Sequence, residues 1–177
     1  MLLAIVRHAK AQKDSPTGLD LDRALTEVGL RQARHLGTLF AAHSTRPDAS
    51  IASRAVRTRQ TAEAIATACT LDFDFDDRLL VGAPVSAALQ LIAELGAGPI
   101  NGRAPRFLVL VGHNDQVSDL ALALTRGLGA SGPDDSGKWD PPIQLATGQA
   151  VVLNVPNPAA PIGRCELLDS WRLPSGE

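Results

Sequence analysis

Two continuous apolar runs, Leu2 to Val6 (LLAIV) and Phe107 to Val111 (FLVLV), limit the fold more than any other feature of this 177-residue chain. A strand that is apolar at every position suits a sheet covered on both faces, as parallel sheets between helix layers are. The segments between and after them carry helical spacing. Thr26 is placed to cap a helix running to about Ala42, with Leu30, Ala33, Leu36, Gly37 and Phe40 on one side and Arg31 and Arg34 towards solvent. Further helices are expected over Ala55 to Ala68, Val85 to Leu95 and Gln116 to about Leu128. Shorter strands are expected over Ala49 to Ala52, Leu71 to Phe75, Val151 to Val155 and Cys165 to Trp171. This alternation predicts an α/β fold, a three-layer α/β/α arrangement with a mostly parallel central sheet flanked by helices. No repeat or boundary divides the sequence, so residues 1–177 are expected to form one domain.

A chain of this length can bury about 70% of the surface it exposes when unfolded, enough for a core without staples. With 45% hydrophobic and 20% charged residues it has globular composition. Two tryptophans, four phenylalanines and no tyrosine leave little for a base-stacking platform, and a net charge of −2 gives no broad positive field. Nucleic acid is therefore not an expected partner. Cys69 and Cys165 show no metal-type spacing and are expected to be reduced and semi-buried. The apolar start meets Arg7-His8 at once, which is too short for a signal peptide, and no run of about 20 apolar residues could span a bilayer. The expectation is a cytoplasmic protein with no membrane partner.

Chemistry-bearing residues gather where the strands end. Arg7-His8 follows the first apolar run and Gly112-His113-Asn114 follows the second. Ligands of open α/β sheets bind beyond the carboxyl ends of the strands, so adjacent parallel strands would bring the two histidines together. A third cluster, Ser53-Arg54-Ala55-Val56-Arg57-Thr58-Arg59-Gln60-Thr61, sets arginines at a helix start, where positive charge opposes the macrodipole unless an anion is bound. Either a phosphate site or a solvated basic face could result.

Taken in order, Arg7-His8-Ala9, Ser53-x-x-x-Arg57-x-x-Gln60-Thr61-Ala62-Glu63 and Gly112-His113-Asn114 resemble the signature of the histidine phosphatase superfamily, whose fold is called phosphoglycerate mutase-like. The RHAKA opening, Asp22-Arg23-x-Leu25-Thr26-x-x-Gly29 and the VGHN stretch are most similar to its short SixA-type, phosphohistidine phosphatase branch. The resemblance implies that His8 is a nucleophile forming a phosphohistidine intermediate. Arg7, Arg57 and His113 would surround the phosphoryl group, and Ser53 and Asn114 would be further substrate contacts. It implies no cofactor and no metal, and a phosphorylated partner, either a phosphohistidine protein or a small phosphomonoester. His8 must be neutral to attack, which nearby arginines favour, whereas His113 is read as a hydrogen-bond donor to the phosphoryl group.

Three departures bear on that reading. Ala9 stands where glycine is usual, so its backbone need not take a positive φ; Arg54 stands where proline is common, either to contact substrate or, the favoured reading, to point to water; Asp115-Gln116 replaces Pro-Gly, putting a carboxylate near His113. No general acid stands out. Asp20, Asp22, Asp76, Asp77 and Asp115 are candidates, each read more simply as a solvated or capping carboxylate. Residues 129–148 are expected to form a long loop in which Lys138 and Trp139 could touch substrate. A mutase-type phosphotransferase, a non-catalytic phosphate-binding module and a metal site built from the histidines are the competing readings; paired arginines disfavour the last.

Overall fold

The computed structural model describes residues 1–98, 103–127 and 144–174. Its strands are β1 (Leu2–Arg7), β2 (Ala49–Ala52), β3 (Asp74–Phe75), β4 (Phe107–Gly112), β5 (Gln149–Asn154) and β6 (Glu166–Arg172). Its helices are α1 (Glu27–Ala42), α2 (Val56–Cys69), α3 (Val85–Gly96) and α4 (Asn114–Arg126), with 3₁₀ turns at Asp20–Asp22 and Asp77–Leu79. The sheet order is β3-β2-β4-β1-β5-β6. β1, β2, β3 and β4 pair in parallel, while β5 is antiparallel to both its neighbours.

Strand alternation explains the apolar runs. Leu3, Ile5, Leu108 and Leu110 join Leu91, Ile92, Leu120 and Leu124 of α3 and α4 in one core. Ala4, Val6, Val109 and Val111 join Leu36, Phe40, Ala62 and Ile65 of α1 and α2 in the other. Successive residues point to opposite faces, and both faces are covered, so every position is apolar. The expected three-layer α/β/α arrangement is the one observed.

Several boundaries differ from the sequence reading. The strand expected over Leu71 to Phe75 is only Asp74–Phe75, both exposed, because an edge pair with acidic residues buries little. α4 starts at Asn114, directly after His113, and α1 is capped as expected, Gly29 N–H donating to the Thr26 hydroxyl at 3.1 Å. Most of the 129–148 stretch, with Lys138 and Trp139, lies outside the described residues. Cys69 and Cys165 are free and buried.

Two close approaches fix the end of the sheet. A Cβ on Gly29 would lie 2.1 Å from the Lys10 carbonyl oxygen, so only glycine lets α1 sit against the chain leaving β1. A Cβ on Gly112 would meet Val117 Cγ1 at 2.8 Å, so glycine also permits the immediate turn from β4 into α4.

Candidate active site

Register carries the two histidines to one place. Arg7 pairs with Gly112 across β1 and β4, making His8 and His113 the next residues beyond the sheet. Their parity matches that of Ala4 and Val6 on one strand and Val109 and Val111 on the other, so both belong to the α1–α2 side. The imidazole centroids are 5.4 Å apart, and both side chains are buried.

The rest of the α2 motif builds the wall of this crevice. Arg57, in the first turn of α2, is only 2% exposed and is the largest fully buried side chain of the described residues. Thr61 receives the Ala9 N–H at 3.1 Å and donates to the Arg57 carbonyl at 2.7 Å, tying the chain after His8 to the helix bearing Arg57. Gln60 receives the Leu25 N–H at 2.7 Å and holds the far end of the same loop. These jobs were visible in the motif only as residue identities. Ala9, fully buried against Leu25 and Ala33, keeps ordinary backbone geometry, since Thr70 is the described non-glycine residue with positive φ.

Hydrogen-bond direction assigns the protons. His8 Nδ1 lies 2.8 Å from the Ala9 carbonyl oxygen, which only accepts, so Nδ1 carries the hydrogen and Nε2 keeps its lone pair. Burial lowers the His8 imidazole to about 4; the Ala9 carbonyl works against this, while Arg57, Arg7 and Arg23 add to it. His113 Nδ1 lies 3.3 Å from Arg57 Nη2, and a guanidinium only donates, so this nitrogen is the acceptor. Its other nitrogen, Nε2, meets the Ser53 hydroxyl at 2.8 Å. Burial, followed by the charges of Arg57 and His8, lowers His113 to about 3. His113 is thus neutral, with Nε2–H donating to Ser53 and the Nδ1 lone pair towards Arg57.

Asp20 is the main addition to the expected site. Arg57 donates to its carbonyl at 2.6 Å and to its carboxylate at 2.7 Å, and Arg23 donates to the same carboxylate at 2.8 Å. Burial pulls the Asp20 carboxyl up, but the hydrogen bonds and charges of Arg57 and Arg23 outweigh it and hold it below its usual range. Arg7 is half-buried and donates to the Leu145 carbonyl at 2.7 Å, with its Nε, like that of Arg57, buried and unpartnered among the described residues. Loss of solvent lowers the Arg7 guanidinium and Asp115 opposes that shift.

Other expected residues stand elsewhere. Ser53 is fully buried and bonded to His113 and Thr58, so it lies behind the histidine. Asn114 bonds to Asp115 and Ser118 of its own helix. Arg54 precedes α2 and is paired with Asp77 at 2.8 Å over the Phe75 ring, a local partner in place of water alone. Among the described residues, no group of three His, Cys, Asp or Glu side chains could hold a metal ion, and no helix is long and apolar enough to cross a membrane.

The family model of the histidine phosphatase superfamily (branch 1) matches residues 3–80. A comparison with curated protein sequences gave no match. Among solved structures, the chain is similar to a protein from Nakamurella multipartitia assigned as phosphohistidine phosphatase SixA. The identity is 25%, the TM-score 0.74, and 96% of this chain and 94% of that one are covered. The corresponding protein from Agrobacterium tumefaciens gives 28% identity and a TM-score of 0.74 over 96% and 97% of the chains. A protein histidine phosphatase SixA complexed with tungstate shares the fold at 17% identity and a TM-score of 0.74, over 97% of both chains. Residues 3–80 are thus similar to the histidine phosphatase superfamily, and over nearly the whole chain the fold is similar to that of SixA-type proteins.

Proposed function

We propose that the chain is a phosphatase whose His8 Nε2 takes the phosphoryl group of a phosphohistidine or another activated phosphate. One observation carries the reading: a buried, neutral His8 whose Nδ1–H is spent on Ala9, so that its lone pair is on Nε2, beside a buried arginine. In the first step Nε2 attacks phosphorus, the P–N bond forms and the bond to the leaving group breaks with its electron pair. In the second, water attacks the same phosphorus, His8 departs with the P–N electrons and inorganic phosphate is released. Phosphoryl transfer needs in-line placement and spread positive charge, which Arg7 and Arg57 supply.

The leaving group follows from the carboxylates. Asp20 is held by Arg57 and Arg23, Asp76 by Arg78, and Asp77 by Arg54. Asp22 accepts from Thr17, and Asp115 meets Asn114. Arginine partners hold Asp20 and Asp76 below the usual carboxylate range, which suits neither to giving up a proton. A phosphorylated imidazole, protonated at its far ring nitrogen, leaves as neutral imidazole and needs no acid from the enzyme. A cleft of about 360 Å³ beside Asp20 and Arg23, lined also by Lys13, Asp14, Ser15 and Leu19, offers room for groups beyond the phosphoryl.

Comparing kcat/KM for a phosphohistidine protein, an activated aryl phosphate and a sugar phosphate tests this. The first two should exceed the sugar phosphate by about 100-fold or more, the usual worth of a general acid. Equal rates on all three would require an acid and reject the reading. Asp20→Asn should leave kcat for activated substrates unchanged and lower KM about two- to five-fold at low salt, because a partly exposed negative charge leaves the site. A selective loss of kcat on the sugar phosphate would instead make Asp20 the acid.

A further inference from the structure

Behind His113 runs a one-way chain of hydroxyls. Thr58 Oγ1 lies 2.9 Å from the Ser53 carbonyl and 2.7 Å from the Ala55 carbonyl, so its single hydrogen goes to a backbone oxygen. The Ser53 hydroxyl, 2.7 Å away, must then donate to Thr58, and its own oxygen accepts from His113 Nε2. Ser53 and Thr58 are both fully buried, so water does not compete for these bonds. At the other end, Arg57 Nη2 gives hydrogens to the Asp20 carboxylate and to His113 Nδ1.

An oxyanion that takes the Arg57 hydrogen now facing His113 leaves Nδ1 opposite an acceptor. Two acceptors repel, and the ring cannot move its hydrogen to Nδ1 without abandoning Ser53, whose hydroxyl is already committed to Thr58. We propose that Ser53 and Thr58 are positioning residues that hold the His113 hydrogen on Nε2, so that an oxyanion bound between Arg57 and His113 brings a second proton onto Nδ1. This deepens the phosphatase reading and rests on it for the identity of the site, while its test needs no turnover.

The charged groups facing His113 are Arg57 on α2, His8 beyond β1, and Asp20 and Arg23 in the loop before α1. Asp115 lies in the first turn of α4, two residues on, with a side-chain bond to Asn114. Without an oxyanion His113 is neutral down to about pH 3. An anion opposite Nδ1 raises that value, so in the window between the free and bound values binding takes up a proton. Affinity therefore falls as pH rises through the window, by up to about tenfold per pH unit.

Tungstate, which stays a dianion near neutrality, is the probe. Calorimetric titration at several pH values from about 6.5 to 8.5, where tungstate stays monomeric, each in two buffers of different ionisation heat, counts protons taken up. The wild type should take up about one proton per tungstate at the acid end, with affinity weakening as pH rises. His113→Gln should abolish the uptake. Ser53→Ala frees Nε2, lets the hydrogen move to Nδ1, and should at least halve the uptake and flatten the pH dependence. Thr58→Val should act in the same direction and Thr58→Ser should restore the wild-type profile, which keeps the test open if Ser53→Ala does not fold. Tight tungstate binding without proton uptake overturns the proposal, as does uptake that persists in His113→Gln or is unchanged in both hydroxyl-deleting variants. Loss of the phosphatase reading would show separately, as absence of turnover on the substrate panel.

Discussion

His8→Ala should lose turnover by a factor of about 10⁴ or more and should trap no phosphate. In rapid quench with a labelled activated phosphate, the wild type should yield acid-labile protein-bound label within one turnover. The magnitude follows from the loss of a nucleophile whose neighbours act on the reaction only through it. The fold should tolerate the change, because among the described residues His8 makes one side-chain hydrogen bond, to the adjacent carbonyl, and its backbone N–H remains bonded to the Gly112 carbonyl at 3.1 Å. The variant should therefore bind tungstate and unfold near the wild-type temperature. Turnover equal to wild type, or label retained in the variant, would remove His8 from the chemistry.

Arg57→Met should separate activity from stability more sharply. The guanidinium is nearly inaccessible, its Nε has no partner among the described residues, and its anionic partner Asp20 is 58% exposed at the side chain. A buried charge facing a partner that water already solvates recovers little of its desolvation cost. Methionine keeps most of the volume and removes the charge, so the melting temperature should stay within a few degrees of wild type or rise. Turnover should fall about 10³-fold or more, as expected when a positive group at a transferring phosphoryl is lost. Paired thermal unfolding and kcat/KM measurements decide it. A variant that unfolds far below the wild type would mark Arg57 as a structural support, and one with unimpaired kcat/KM would remove it from the reaction.

How much of this was legible in sequence differs from residue to residue. Leu2 to Val6 and Phe107 to Val111 announced a sheet covered on both faces because burial of both faces suppresses polar residues in the strand itself. The placement of His8 and His113 was legible once those strands were taken as neighbours, since parallel register then carries the next residues out together. The Asp20–Arg57 contact was not, because it spans 37 positions and depends on how the loop after β1 folds back. The same holds for Ser53: the motif displays the residue, but only the pairing with His113, 60 positions away, says which way its hydroxyl points. Leu71 to Phe75 misled because alternation marks a strand that could form, whereas edge pairing limits how much of it does. The position of the His113 hydrogen was illegible for a chemical reason, since a histidine in sequence does not say which nitrogen carries it.

The pleat of β1 has a consequence for the order of the two residues that end it. Leu3 and Ile5 face α3 and α4, and Arg7 continues that side, reaching Leu145 of the same core. Ala4 and Val6 face α1 and α2, and His8 continues that side towards Arg57. Neighbours along an extended chain are opposed in direction, so a dipeptide can present a cation and a base to one crevice from two sides. On a helix, neighbours diverge by only about 100°, so adjacent residues would not oppose one another in this way. Exchanging the two residues would keep the composition of the site and turn it inside out, with the base on the Leu145 side and the cation against Arg57.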